Sequence, residues 1–223
     1  MTEGKHMHQT IRKIVRANRG LLIFLLLMSV FRSSFADWNT VPTGSMQPTI
    51  VEGDRILINK LAYDLQLPFV STKLLTLGNP KRGDIVIFES LIANNRLVKR
   101  VIGLPGDRVA LTNNQLIING EAVTYETLGR APMMTEQLEK LFGQTPHRIR
   151  TSTLKQARQS FAEVTVPKGR YLVLGDNRDN SADSRFIGFV PRREIIGRSR
   201  RVVMSLNREH YYLPRLDRFW QPI

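Results

Sequence analysis

A chain of 223 residues, 42% of them hydrophobic, holds enough apolar material for one substantial core, or a core plus a small subdomain, which sets aside disorder as its main character. Its 33 basic residues against 19 acidic ones leave a net charge of +14, which implies attraction to polyanions, either nucleic acid or anionic lipid, without choosing between them. Cysteine is absent, so thiol catalysis, disulfides and sulfur-ligated zinc are excluded; there is no HExxH, and the acidic frames at Asp176 and Asp179 lack the remaining ligands of a calcium loop.

Residues 1–19 carry Lys5, Arg12, Lys13, Arg16 and Arg19 against Glu3, and an apolar run from Gly20 to Phe31 follows. At ~1.5 Å per residue that run is roughly 18 Å long, short of the ~30 Å hydrocarbon core of a bilayer. Counted from Ile11 or Ile14 to Phe35 the segment is long enough, provided Arg16, Arg19 and Arg32 reach toward the interfaces and Trp38 sits near the far boundary. The expectation is one retained transmembrane helix over 14–36 behind a basic cytoplasmic tail over 1–13, with the C-terminal part exported. Two rivals are a cleaved leader, with Ser34 and Ala36 as the small residues before the cut, and a helix buried in a soluble core.

Beyond Trp38 the chain reads mainly as strands. Arg55 to Asn59, Asp84 to Phe88 and Arg96 to Ile102 are short β-branched and apolar runs punctuated by Gly, Pro and Asp. Asp107 to Leu111, an Asn113-Asn114 turn, Gln115 to Ile118, an Asn119-Gly120 turn and Glu121 to Tyr125 predict a meander. Met133 to Phe142, closed by Gly143 and with Thr135 near its start, predicts a helix. His147 to Thr151 and Glu163 to Val166 alternate as half-exposed strands; Arg170 to Leu174 and Ser199 to Met204 read as buried ones. The fold class is therefore mainly β: an antiparallel sheet domain over 37–111 and 167–223, with a small inserted cap over 112–166.

Ser45 lies in a shaped loop, because Pro42 restricts the residue before it, Gly44 permits a tight path and Pro48 stops a helix or central strand from continuing. A serine used as nucleophile needs a neighbour to take its proton. Histidine offers poor material: His6 and His8 lie in the polar tail, and His147 and His210 stand alone. Lys99 fits better, since strand alternation groups it with Leu97 and Val101 on an apolar face. A base working near pKa ~7.5, against ~10.4 for a free lysine, needs roughly 4 kcal/mol of disfavour for its charged form, which desolvation can supply. Thr43 and the Ser45 amide are candidate donors to an oxyanion. In the polar segment Gly175 to Arg185, Ser181 is the candidate to orient the lysine, with Asp183 and Arg185 as a pair that holds the loop. Simpler readings stand beside each: a plain turn at Ser45, an edge-strand lysine that blocks sheet association, and a polar surface loop.

Together these stretches resemble the bacterial type I signal peptidase (leader peptidase) family of membrane-anchored Ser-Lys endopeptidases. The resemblance runs through Pro42 to Thr49, Gly53 to Lys60, Lys81 to Phe88, Lys99 to Asp107, and Gly175 to Arg185 continuing to Pro191, in that order. It implies Ser45 as nucleophile, Lys99 as general base, Thr43 with Ser45 at the oxyanion, Ser181 orienting Lys99, and Asp183 with Arg185 as a structural pair. Three departures are visible: Thr43 where many members have serine, Ile187 where an aromatic is common, and one anchor segment where some relatives have two.

What the resemblance implies further is removal of signal peptides from exported precursors, after small residues, on the outer (periplasmic) side of the cytoplasmic membrane. It needs neither metal nor organic cofactor. The partners implied are precursor proteins and the phospholipid membrane, with no nucleic acid, and the protein acts as a monomer. Rival functions are a specialised processing peptidase of conjugative transfer, a self-cleaving Ser-Lys repressor-type protease, and a basic membrane-tethered binding module without catalysis. The last would explain the arginines from Arg192 to Arg218 but not Ser45 and Lys99 in their motifs.

Overall fold

The computed structural model describes residues 12, 13, 15–70, 72–154, 158–208 and 210–223. Helix α1 (Arg19–Ser34) has 16 residues, and its apolar side chains from Leu21 to Leu27 are all exposed, so it is not the buried core helix weighed above. Among the described residues no helix is long and apolar enough to cross a membrane. The longer span counted from Ile11 or Ile14 starts on residues outside those described, as does the tail before residue 12. The last turn of α1 is tied to the body by Lys60, whose Nζ donates to the carbonyls of Arg32 (2.9 Å) and Ser33 (2.8 Å), a cation satisfying helix C-terminal acceptors.

All ladders between the strands are antiparallel. The main sheet has the order β1 (Ala36–Thr40), β2 (Asp54–Asn59), β16 (Ile195–Asn207), β5 (Ile85–Ser90), β6 (Asn95–Gly103), β14 (Arg170–Leu174), β15 (Val190–Pro191), with β17 (Leu213–Pro214) added to β16. β5 shows why it sits centrally: Ile85 and Ile87 enter one core cluster and Val86 and Phe88 the other, so both faces of the sheet are covered. A second sheet joins β13 (Phe161–Thr165), β7 (Arg108–Thr112), β8 (Gln115–Ile118) and β9 (Glu121–Ala122); a third joins β10 (Thr124–Ala131), β11 (Met134–Lys140) and β12 (His147–Ser152). A small hairpin, β3 (Asp64–Gln66) with β4 (Lys73–Thr76), stands apart.

The expected turns are formed with backbone that suits them: Asn113, Asn114, Asn119 and Gly120 all have positive φ. The expected strand Glu121 to Tyr125 is broken at Val123, whose N–H donates to Leu116 O (2.9 Å) as the chain passes from one sheet to the next. The predicted helix over Met133 to Phe142 is not formed. This segment is β11, paired on both sides by β10 and β12, and Gly143 closes a turn from Leu141 to Gln144 rather than a helix. Its Glu, Gln, Leu and Lys favour helix intrinsically, and two ladders of tertiary hydrogen bonds override that preference.

Gly53 follows the Ser45 loop with φ of +89°, and a Cβ there would lie 2.1 Å from Leu206 O on β16. Gly120 has φ of +86° with open space around it. Gly53→Ala is expected to lower Tm by several degrees more than Gly120→Ala, since both carry the left-handed backbone penalty of about 1 kcal/mol and only the first adds a collision with backbone. Equal Tm losses in thermal unfolding would contradict this.

Candidate active site

The Ser45 loop is held from below by apolar anchors. Val41, Met46 and Ile50 are buried in the same cluster as Ile85, Ile87 and Val98, and Gly44–Met46 forms one 3₁₀ turn closed by Gln47 N–H to Gly44 O (3.1 Å). That turn leaves Ser45 half-buried, facing β6. Lys99, on β6, is 2% exposed; its Nζ donates to Ser45 Oγ at 2.8 Å and to Val98 O at 2.9 Å. Burial pushes the Lys99 amine down to about 8, against the opposing pull of the Asp183 and Asp176 carboxylates. The alternation that groups Lys99 with Leu97 and Val101 holds, since both belong with the Val86 and Phe88 cluster.

The segment from Gly175 to Arg185 folds directly onto this pair. Asn177 donates its N–H to Ser45 O (3.1 Å) and its Nδ2 to Gly44 O (3.0 Å), holding two successive carbonyls of the Ser45 loop. Gly175 is required by the same approach: a Cβ there would come 2.4 Å from Ser45 O and 2.2 Å from Ser181 Oγ. Asp183 accepts from Gly175 N–H (3.0 Å), caps the short helix α2 (Ser184–Ile187) through Arg185 N–H, and is gripped by Arg185 through Nε (2.9 Å) and Nη2 (2.8 Å). Arg185 Nη2 also donates to Arg178 O.

Two of the expected residues lack a contact with the dyad. Ser181 Oγ is buried beside Gly175, yet it makes no hydrogen bond among the described residues, and the Lys99 amine is bonded to Ser45 and Val98 instead. Thr43 is exposed in an extended conformation, and its side chain makes no cap hydrogen bond to the 3₁₀ turn.

The structure also brings in residues not singled out from sequence. Asp176 is fully buried and takes Arg100 on both oxygens (2.9 and 2.7 Å), and Thr49 Oγ1 donates to it at 2.6 Å. Arg178, also buried, donates through Nη2 to both oxygens of Glu139 on β11 (2.5 and 2.6 Å). Burial alone would raise the Glu139 carboxyl; Arg178 and His147 reverse that and hold it well below the usual range. His147, which stands alone in the sequence, is in fact 3.2 Å from Glu139 Oε1 and 4.0 Å from Asp176 Oδ1, with its imidazole pushed down by burial and by Arg100. It is a member of this ionic cluster, and Ser45 Oγ takes its hydrogen bond from Lys99. Motif adjacency was the available signal for Arg100, Asp176, Asn177 and Arg178; none existed for Glu139, on a segment that reads as helix. No group of three metal-ligating side chains is assembled among the described residues.

Residues 14–204 match the family model described as signal peptidase, peptidase S26. Signal peptidase I of Pseudomonas aeruginosa is 38% identical over 208 residues, covering 86% of this chain and 73% of its own length. Signal peptidase I of Pseudomonas fluorescens is 36% identical over 207 residues, with the same two coverages of 86% and 73%. Signal peptidase I of Buchnera aphidicola subsp. Baizongia pistaciae is 30% identical over 235 residues, covering 84% of this chain and 76% of its own.

The Arg178–Glu139 pair sets a stability test. Arg178→Met leaves the buried Glu139 carboxylate without its guanidinium partner, so unfolding in denaturant should lose about 3–5 kcal/mol. Adding Glu139→Leu should recover much of that loss, because the orphaned charge is gone. A double variant no more stable than the single one would show that the pair acts through packing alone.

Proposed function

The chain belongs to the signal peptidase family, peptidase S26, and we propose that it is a membrane-bound serine endopeptidase that removes N-terminal signal peptides from exported precursors through a Ser45–Lys99 dyad. The observation that carries the dyad is the 2.8 Å contact from a lysine only 2% exposed to the serine hydroxyl. At pKa ~8 about one lysine in ten is neutral at pH 7, against about one in three thousand at ~10.5. The environment thus supplies about 3 kcal/mol toward the base form.

In the proposed reaction the neutral Lys99 amine accepts the Ser45 proton as Oγ attacks the carbonyl carbon after a small residue. The negative oxygen that forms is stabilised by the Ser45 N–H and by the Thr43 hydroxyl, which is exposed and makes no cap hydrogen bond. The lysine ammonium then protonates the leaving amine, and the C-terminal product departs. Lys99 next takes a proton from water, which attacks the acyl ester and releases the signal peptide as a carboxylate. Ser181 is proposed to reach Lys99 once substrate closes the site, since catalytic hydrogen bonds are often loose without substrate. Asp183 and Arg185 hold the loop that carries it, and residues 112–166 are proposed to act as a cap over the site.

The membrane part of the proposal rests on α1. Its exposed apolar side chains cover no part of the core, and cations precede it. A lipid-embedded α1 with the basic tail inside places the catalytic domain, a monomer, on the periplasmic side of the cytoplasmic membrane.

Purified protein in detergent should cleave a peptide spanning an Ala-x-Ala site, while folded Ser45→Ala and Lys99→Ala proteins should not. The Lys99 pKa is lowered, so the amine is a base above about 8 and is lost as a base below it; kcat/KM should fall tenfold per pH unit on the acid side of that limb. Lys99→Arg should be inactive at every pH, because guanidinium stays protonated. Near-normal turnover in that variant would reduce Lys99 to a structural charge. Asn177→Ala should lower kcat roughly 10-fold or more with little change in KM, from loss of about 1.5 kcal/mol of loop positioning. A rise in KM alone would assign Asn177 to substrate binding instead.

A further inference from the structure

The arginines near the end of the chain are only partly accounted for by the fold. Arg192 pairs with Asp64 at 2.9 Å, Arg198 with Asp84 at 3.1 Å and Arg218 with Asp54 at 2.6 Å. Arg200 and Arg201 have no acidic partner among the described residues, and neither does Arg148 on β12. All three line one cavity of about 770 Å³. Arg100 and Asp84 line it too, but each is neutralised by its own partner, Asp176 and Arg198. The cavity therefore keeps three guanidiniums without an acidic side-chain partner among the described residues, Arg201 also donating to Trp220 O (3.1 Å), and Ile223 lines it as well.

Its construction is specific. Between Ser199 and Val202, β16 advances three residues while β2 advances two, from Ile58 to Ile56. Such a bulge re-aims side chains, and here Ser199 and two consecutive arginines, which regular alternation would send to opposite faces, line the same space. Ser199 is buried, and its hydroxyl has no hydrogen-bond partner among the described residues. A buried hydroxyl without a partner is uncommon and marks either strain or a missing ligand. Alternation along β6 turns Arg100 to the opposite sheet face from Lys99, so this cavity is separate from the dyad.

We propose that this cavity is an anion site for a phosphate group, carried on a lipid headgroup or free. Guanidinium forks match phosphate oxygens in pairs, and a group carrying up to two negative charges answers three cations better than a single carboxylate does. Ser199 supplies a donor to a remaining oxygen. Three guanidiniums gathered around one half-open cavity differ from the extended basic stripe that tracks a nucleic acid backbone.

The test uses the full chain in maltoside micelles, free of phosphate, titrated calorimetrically with inorganic phosphate and separately with dihexanoyl phosphatidylglycerol below its micelle concentration. The expected result is saturable one-to-one binding of at least one probe, weakened about 10-fold or more by Arg200→Gln/Arg201→Gln and several-fold by Ser199→Ala. Tighter binding of inorganic phosphate assigns the site to the free anion; tighter binding of the lipid assigns it to a headgroup. Arg130→Gln/Arg170→Gln removes the same charge from exposed positions outside this cavity and should change binding less than about 2-fold. No saturable binding of either probe, or an equal loss in that control, overturns the proposal.

Discussion

A lysine amine buried beside a serine hydroxyl is the constraint on which the rest of this structure depends. An amine kept in apolar surroundings loses its proton readily, yet the loops around it have to carry the polar groups that position the serine. Lys99 meets the first condition on β6, where Leu97 and Val101 share its face and the Val86 and Phe88 cluster lies beneath. The nearby carboxylates Asp183 and Asp176 would undo this by favouring the ammonium, and burial outweighs them. Both carboxylates are themselves held by arginines: Arg185 grips Asp183, and Arg100 takes both oxygens of Asp176.

Those pairs also join segments far apart in the chain. Arg100 follows Lys99 directly and reaches a loop 76 residues on, and that loop bonds the two carbonyls around Ser45 through Asn177. The three-stranded sheet is part of the same brace. Arg150 on β12 donates to Gln47 Oε1 at 2.7 Å in the Ser45 loop, and its backbone exchanges hydrogen bonds with Asp176 and Arg178. Movement of β12 is thereby felt at both loops that shape the dyad. The three-stranded sheet is thereby mechanically coupled to the Ser45 and Gly175–Arg185 loops.

How far this was legible in the sequence varies with the range of the interaction involved. Turns at Asn113-Asn114 and Asn119-Gly120 are local, set by residues that tolerate positive φ, and they formed where expected. Lys99 and Ser45 could be singled out because strand alternation and Pro-Gly punctuation act within a few residues. Segment 133–142 was misread as helix because its local preference is helical; the ladders that make it β11 come from strands whose pairing no local pattern reveals. The same failure hid Glu139, and with it the surroundings of His147, which looks isolated in sequence and lies in an ionic cluster in space. For Asn177 the motif was visible and the role was not, since its acceptors lie more than 130 residues earlier.

The choice of cations around the site follows the same logic. Arg100, Arg178 and Arg185 are all nearly inaccessible and each holds a buried carboxylate, positions where lysine would have matched the charge but not the two-pronged geometry. Arginine stays protonated even in an apolar interior, which suits it to hold buried carboxylates. Burial lowers both Lys99 and His147, and of these two it is Lys99 that donates to the serine hydroxyl.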